Sequence, residues 1–264
     1  MNLRLSRSAE AAGFSVEFHD TIGSTNDEAM RRAMLDAPDR RWFVAGEQTS
    51  GRGRHGRHWT SPRGNLYASL LLVDPAPLAR TPQLGFVAGL ALVSAVRPFL
   101  ANDPRLALKW PNDLVHEGAK LAGILLGGSR LPDGRFACVI GMGVNCVSHP
   151  EGLAYRTQDL VNLGASCNCV DVFEALSVQM ARWLDKWGRG DHFDAIRAAW
   201  LHNAAGVGGQ IRVSVGQENL EGIFETIDQQ GRLVLRTPQG ARIIEAGDVF
   251  LPGARKPLRV EQET

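Results

Sequence analysis

The stretch from Gly51 to Trp59 carries the densest chemistry of this chain, because glycines alternate there with arginines and histidines. Glycine frees the backbone to bend and to approach a ligand closely. Arginine supplies a fixed cationic fork that suits phosphate and carboxylate groups. The pattern therefore favours a loop, here called the Gly/Arg loop, that wraps a small anion. Two alternatives stay open: a solvated basic loop, and a single-stranded nucleic-acid site in which aromatic rings stack on bases.

A lysine, an amide and a carboxylate stand together in Lys109-Trp110-Pro111-Asn112-Asp113, at the end of a predicted strand. An Asn side chain both donates and accepts hydrogen bonds, which suits the edge of a nucleobase. An Asp beside phosphates can ligate Mg²⁺. The same residue types are typical of a simple turn, so this segment alone leaves both interpretations open.

Glycines interrupt two apolar segments that are predicted to be strands. Lys120 precedes the run Leu121-Ala122-Gly123-Ile124-Leu125, and Gly141-Met142-Gly143-Val144-Asn145 repeats the pattern further along the chain. A glycine inside a strand indicates a bulge or the close approach of a ligand. Small residues facing each other on neighbouring strands would leave room for a narrow ligand, although tight packing alone is the alternative.

Composition limits the function classes. The 264 residues carry a formal net charge of +1, so the whole chain has no electrostatic bias toward nucleic acid. The apolar run from Leu84 to Val96 is shorter than the roughly 20 residues of a membrane span, and it predicts a buried helix. The N-terminus has no charged-then-apolar leader. Reduced thiols in a cytoplasmic protein are expected at the unpaired cysteines Cys138, Cys146, Cys167 and Cys169.

Hydrophobic periodicity and turn residues predict an α+β fold around a mixed or antiparallel sheet. The predicted strands cover residues 42–45, 66–73, 106–110, 120–126 and 136–147. The predicted helices follow a turn within 20–36 and cover 82–99, 171–187 and about 191–203. Asp171 and Glu174 are predicted to form a capping box at the start of the third helix.

The pattern of hydrophobic residues and turns changes at Gly206. Beyond it, short alternating segments separated by Gly-containing turns predict a small β-barrel. We therefore predict two domains, residues 1–205 and 206–264.

Considered together, five segments occur in the order and spacing of the biotin–protein ligases, and the chain resembles the bacterial enzyme of that family from Phe18 to Leu251. The segments are Ser24-Thr25-Asn26, Glu47 to Ser50 leading into the Gly/Arg loop, Lys109 to Asp113, Lys120 to Leu125, and Gly141 to Asn145. The resemblance implies the class II synthetase-like biotin/lipoate ligase fold with an SH3-like C-terminal β domain.

The resemblance also implies a two-step reaction that uses biotin, ATP and Mg²⁺. The biotin carboxylate attacks the α-phosphorus of ATP to give biotinyl-5'-adenylate and pyrophosphate. A lysine of a biotin carboxyl carrier protein, from acetyl-CoA carboxylase or another biotin-dependent carboxylase, then attacks this mixed anhydride. Such an enzyme works by positioning and electrostatics. A lipoate or octanoate ligase is the alternative within the same superfamily.

Site residues are carried over from the same resemblance. Lys120, Arg52 and Arg54 are implied as catalytic, with Lys120 bridging the biotin carboxylate and the α-phosphate. The implied binding residues are Ser24, Thr25, Asn26 and Gln48 for the biotin ureido ring, Gly51 to Arg54 (including Gly53) as a cover, Gly123 and Gly143 as the floor of the biotin site, and Asn112 and Trp59 near adenine. Asp113 is implied to help hold Mg²⁺.

Two departures from the family pattern stand out. Only about 17 residues precede Phe18, too few for an N-terminal DNA-binding domain, so we expect no DNA partner. Leu126-Gly127-Gly128-Ser129 ends the strand after Lys120, where the family pattern has an acidic residue. That strand can contribute to a dimer surface, which leaves a homodimer open.

Overall fold

A computed structural model describes residues 3–35 and 39–251 of the chain. Its helices are α1 (Arg7–Ala11), α2 (Thr25–Met34), α3 (Leu84–Val96), α4 (Cys169–Trp187) and α5 (Phe193–His202). Its strands are β1 (Ser15–His19), β2 (Arg41–Ala45), β3 (Leu66–Val73), β4 (Leu106–Lys109), β5 (Asp113–His116), β6 (Ala119–Arg130), β7 (Phe136–Val144), β8 (Gln210–Val215), β9 (Glu218–Ile227), β10 (Leu233–Thr237), β11 (Gly240–Ile244) and β12 (Asp248–Phe250).

The larger sheet has seven strands in the order β1-β2-β3-β7-β6-β5-β4. The β1–β2 pair is parallel and the others are antiparallel. This mixed sheet confirms the predicted α+β class. In its centre, Gly123 of β6 is the direct partner of Gly143 of β7, and Gly141 of β7 is the partner of Ser69 of β3. The glycines that the sequence predicted to face each other are therefore neighbours.

Helix α3 is the core helix of the larger part of the molecule. The segment Leu78–Leu100 is long and apolar enough to cross a membrane, but 67% of its most apolar window is buried inside the protein. A helix that is apolar all round is expected to be buried in this way. It packs against α4 and α5, and α4 ends at Gly188, which adopts a positive φ of 59°.

The start of α4 differs from the prediction. Its capping box is formed by Asn168 and Asp171, not by Asp171 and Glu174. The Asn168 side chain accepts from the Asp171 backbone N–H at 3.2 Å, and the Asp171 carboxylate accepts from the Asn168 N–H at 2.9 Å. An Asx residue with a short acceptor satisfies the free N–H groups of a helix start as well as Ser or Thr does.

The C-terminal sheet has five antiparallel strands in the order β11-β10-β9-β8-β12. It packs onto the larger part through Gly231, whose carbonyl accepts from the Trp110 indole at 3.1 Å. A Cβ at Gly231 would lie 2.5 Å from the Phe86 ring, so only glycine allows this close approach. The two sheets therefore share one apolar core, which includes residues of both.

Candidate functional site

A cavity of about 480 Å³ opens beside the central strands of the larger sheet. The walls are formed in part by the Gly/Arg loop (residues 51–59), by residues 154–156 and by residues 248–251, which comprise β12 and the residue after it. The predicted site residues that line it are Ser24, Thr25, Asn26, Gln48, Arg52, Gly53, Arg54, Trp59, Asn112, Asp113, Lys120, Gly123 and Gly143.

Gly51 is the one predicted site residue that does not line the cavity. It lies behind the wall, where a Cβ would come within 2.5 Å of the Ser61 hydroxyl and of the Trp59 carbonyl. Its carbonyl accepts a hydrogen bond from the Trp59 N–H at 2.9 Å. Gly51 therefore allows tight packing at the base of the loop.

The start of α2 forms the polar end of the cavity. The Gln48 side-chain oxygen accepts from the Thr25 backbone N–H at 2.9 Å and from the Thr25 hydroxyl at 3.0 Å. The Ser69 hydroxyl, buried on β3, lies 2.7 Å from the Thr25 hydroxyl. Ser24 is the N-cap of α2. Donors and acceptors are thus fixed beside one another by backbone and side-chain partners.

Asn26 is held against the sheet by a glycine. Its carboxamide lies directly over Gly141, where a Cβ would overlap the Asn26 side-chain oxygen. The Ser69 hydroxyl donates to that oxygen, and the Asn26 amide reaches the Leu125 carbonyl at 3.5 Å. The glycine at 141 therefore makes room for a protein side chain.

Trp59 covers the glycines that were predicted as the floor of the biotin site. A Cβ at Gly143 would lie 2.6 Å from the Trp59 indole nitrogen, and a Cβ at Gly123 would lie 3.2 Å from the same ring. The indole N–H is buried and has no hydrogen-bond partner among the described residues. A ligand that rests on these glycines has to share the space with this ring.

Lys120 lines the cavity and is held there by Asp113. The Asp113 carboxylate forms ion pairs with the ammonium groups of Lys120, at 2.7 Å, and Lys109, at 3.1 Å. Burial by itself raises the pKa of the Asp113 carboxyl, but attraction to Lys120 and Lys109 outweighs burial and holds that pKa below its ordinary value. The carboxylate therefore stays ionised beside the two lysines.

The backbone and the side chain of Lys120 have further partners that the sequence did not reveal. Its backbone N–H donates to the Arg156 carbonyl at 2.8 Å, and its carbonyl accepts from the Gln158 N–H at 2.9 Å. The Lys120 ammonium lies 5.2 Å from the centre of the Trp59 ring and 5.8 Å from that of Tyr155. Tyr155 is 38% exposed although it is aromatic, and no signal in its local sequence pointed to the site.

The residues do not fit direct binding of Mg²⁺ by Asp113. Each of its carboxylate oxygens already faces a lysine ammonium, so an inner-sphere cation would have to displace at least one of the two. Among the described residues, the cluster with three metal-binding groups is Glu17, His19 and Glu28, which lies outside the cavity. The arginines around that cluster already neutralise its carboxylates.

The arginines of the Gly/Arg loop are paired with partners from three parts of the chain. Arg52 forms an ion pair with Asp27 of α2. Arg54 donates to the Asn112 side-chain oxygen at 3.1 Å and to the Gly247 carbonyl at 3.4 Å. Arg57 forms an ion pair with Asp248 of β12. The Asn112 amide donates to the Ile124 carbonyl at 2.7 Å, so both ends of its side chain are engaged.

Sequence similarity identifies the family. Residues 20–145 match the Biotin/lipoate A/B protein ligase family, and residues 207–251 match the Biotin protein ligase C terminal domain. A biotin–[acetyl-CoA-carboxylase] ligase of Paracoccus denitrificans is 40% identical over 239 residues, which cover 87% of this chain and 98% of the relative. The chain belongs to the biotin–protein ligase family. A biotin–[acetyl-CoA-carboxylase] ligase of Mycobacterium tuberculosis is 32% identical, with 86% of this chain and 85% of the relative covered.

Solved structures of biotin–protein ligases share the fold. The Aquifex aeolicus biotin protein ligase in complex with biotin and ATP superposes with a TM-score of 0.75 at 24% identity, over 89% of this chain and 97% of that one. The Leishmania major biotin protein ligase in complex with biotinyl-5-AMP gives a TM-score of 0.61 at 23% identity, over 88% of this chain and 99% of that one. The match over both sheets confirms the predicted fold class for this biotin–protein ligase family member.

Proposed function

We propose that this chain activates biotin with ATP as biotinyl-5'-adenylate and transfers biotin to a lysine of a biotin carboxyl carrier protein. The observation that carries the proposal is the position of Lys120. Lys120 lines the same cavity as Thr25 and Gln48 and as Arg52 and Arg54 of the loop. A volume of about 480 Å³ is in the range of small-molecule sites.

The polar end of the cavity supports biotin over lipoate. The ureido ring of biotin offers two N–H donors and a carbonyl acceptor, which match the fixed groups of Thr25, Asn26 and Gln48. The dithiolane ring of lipoate is apolar and offers these groups neither an N–H donor nor a carbonyl acceptor. A site built to hydrogen-bond its substrate strongly rejects an analogue that cannot do so.

Each step of the reaction develops negative charge that the cationic residues can stabilise. A biotin carboxylate oxygen forms a bond to the α-phosphorus while the bond to the pyrophosphate leaving group breaks. Lys120 is placed to contact the carboxylate and the phosphate oxygens, with Arg52 and Arg54 on the outer side. In the second step the carrier's neutral amine attacks the acyl carbon, AMP leaves with the electrons of the acyl–oxygen bond, and the nitrogen loses a proton as the amide forms. Fixed cations in a water-poor cavity stabilise such charge without reorganising.

Several assignments accompany this proposal. Trp59 and Asn112 are proposed to lie near adenine, Gly123 and Gly143 beneath biotin, and the chain to divide near Gly206. A cytoplasmic location is supported by the four free cysteines. The absence of a DNA partner stays a prediction.

A homodimer is supported by the open edge of β6. The β5 strand pairs with β6 only up to Gly123, whereas β6 continues to Arg130. Sedimentation equilibrium with and without biotin and ATP would test self-association.

The function is tested by mixing the protein with ATP, Mg²⁺, an unmodified carrier domain and either biotin or lipoate. The expected result is biotin on the carrier lysine, detected by blotting and intact mass, with little lipoate incorporated. Labelling by lipoate and not by biotin, with several fresh carrier domains, would replace this proposal by the lipoate alternative.

A further inference from the structure

Asp248 belongs to the C-terminal sheet, but its carboxylate faces the Gly/Arg loop. Among the described residues, its side-chain partners are Arg57, in a direct hydrogen-bonded ion pair, and Arg54, at 3.8 Å. Its backbone pairs with Ser214 of β8, and the neighbouring Val249 is buried in the core. The strand is therefore held by backbone pairing and by Val249, and its place in the sheet does not depend on the Asp248 charge.

The contact with Arg57 is transmitted to the inner part of the loop through the backbone. The Arg57 carbonyl accepts from the Gly53 N–H at 2.7 Å, and the Arg57 N–H donates to the Arg54 carbonyl at 3.2 Å. Arg52 and His58 form a bridge that closes the base of this turn. Once Arg57 is anchored, Gly53 and Arg54 are placed as well.

Arg54 is the arginine that this anchoring brings to the cavity. Its side chain is 20% exposed, compared with 58% for Arg57, and it reaches Asn112 on the cavity wall. The Gly247 carbonyl accepts from both terminal nitrogens of Arg54 at 3.4 Å. One end of the C-terminal sheet thus holds both arginines from outside while Asn112 holds Arg54 from inside.

We propose that Asp248 is a positioning residue that latches the Gly/Arg loop over the cavity through Arg57, so that Arg54 is pre-placed for the phosphates of ATP. The proposal rests on the proposed function for its ligand, because ATP is what the loop would cover. A glycine-rich loop is entropically costly to order. If the loop is already anchored in the free protein, less conformational entropy is lost when the ligand binds.

The test compares Asp248→Asn with Asp248→Glu and with the control Glu245→Gln in the full-length protein. Glu245 lies in the same segment, is 81% exposed, and its ion-pair partner is Arg232 at 3.8 Å. The first readout is the rate at which trypsin cuts after Arg54 and Arg57 without ligand, followed by mass spectrometry. We expect about a five-fold rise for Asp248→Asn, as for the loss of one partly exposed charge pair, and little change for the other two variants.

The second readout is pyrophosphate release with ATP varied at saturating biotin. We expect the KM for ATP to rise about five-fold in Asp248→Asn while kcat changes less than about two-fold, because the latch acts before the chemical step. Adding Arg57→Gln to Asp248→Asn should not raise the KM for ATP further, because each substitution removes the same ion pair. The midpoint of thermal unfolding should stay within about 2 °C of the wild type.

Unchanged cleavage in Asp248→Asn, or an equal rise in Glu245→Gln, would overturn the latch. The same holds if Asp248→Glu, which keeps the carboxylate, behaves like Asp248→Asn. The proteolysis readout needs neither biotin nor catalysis. If the wild type forms no biotinyl-adenylate, the proposed function fails while proteolysis still decides whether Asp248 holds the loop.

Discussion

The Asp113 carboxylate bridges Lys109 and Lys120, with the Lys120 ammonium 2.7 Å from one oxygen and the Lys109 ammonium 3.1 Å from the other. Sheet geometry produces this arrangement, since Lys109 is the cross-strand partner of Asp113 and Asp113 is the partner of Gly123. Lys120 folds back across Gly123, where a Cβ would lie 3.2 Å from its side chain. The glycine and the aspartate together therefore place the central cation of the cavity.

Lys120→Ala should reduce biotinyl-adenylate formation by about 10²–10³-fold, the typical loss for one charge-stabilising contact. The fold should persist because Asp113 keeps Lys109 as a partner. Lys120→Arg should restore little activity, since a planar fork does not replace a compact ammonium. Pyrophosphate release measures the rate, with Lys186→Ala on the exposed side of α4 as the control. Wild-type rates in Lys120→Ala would remove this lysine from the mechanism.

Asp113→Asn should destabilise the protein by about 3 kcal/mol at pH 7, because it leaves two lysines beside a site that has lost its counter-charge. Burial raises the pKa of Asp113, but Lys120 and Lys109 lower it by more, so the pKa in the folded protein is below its ordinary value. Its contribution is therefore complete above the unfolded pKa of about 3.9 and is lost as the pH falls through the lower folded pKa.

Urea unfolding at pH 7, 5 and 3.5 measures this dependence. The difference between wild type and Asp113→Asn should be similar at the two higher values and should begin to shrink at the lowest. Asp185→Asn, on an exposed part of α4, is the control for loss of a carboxylate. A difference that grows as the pH falls would contradict the assignment.

Gly141→Ala should weaken biotin binding at least about ten-fold, because the added methyl would occupy the place of the Asn26 carboxamide. Gly127→Ala is a matched control on the neighbouring strand, since nothing lies within 4 Å of its Cβ position. Calorimetric titration with biotin compares the two. Equal affinities would show that Asn26 does not take part in biotin recognition.

Arg54→Gly should loosen the cover of the cavity more than it slows the chemistry. The substitution removes the contacts with Asn112 and Gly247 and adds a flexible residue. Biotinyl-adenylate should then escape and acylate lysines of bystander proteins. Blotting for biotin on added albumin measures the escape, and Arg57→Lys keeps the charge at the outer position as a comparison. No rise in albumin labelling would argue against a covering role for Arg54.

Local signals predicted much of this fold. The β3 strand has the predicted bounds, Leu66–Val73, because its apolar residues are continuous and its end is marked by Asp74-Pro75. The β5 strand was missed since Asp113 follows Pro111-Asn112, a typical turn sequence, and the strand is defined by partners on β4 and β6. Strand pairing of this kind depends on long-range context.

The same dependence on long-range contacts explains why the sequence predicted only some of the residues that line the cavity. Motif residues around Lys120 line the cavity, and the roles that the resemblance implies for them stay predictions. Tyr155 and Asp248 were missed because nothing in their local sequence connects them to Lys120 or to Arg57. Only the folded chain brings residues 155 and 248 to the same cavity mouth. Contacts between residues so far apart in the chain have no characteristic local spacing, so a single sequence does not reveal them.

The position of Trp59 makes the intrinsic fluorescence of the protein sensitive to the cavity. Of the six tryptophans, Trp42, Trp110, Trp187 and Trp200 are almost fully buried, whereas the Trp59 ring lines the cavity beside the Lys120 ammonium. A molecule entering the cavity must cover or displace this indole and change the polarity around it. The ultraviolet emission of the unlabelled protein should therefore shift on occupancy, and the Trp59→Phe protein should lose that response.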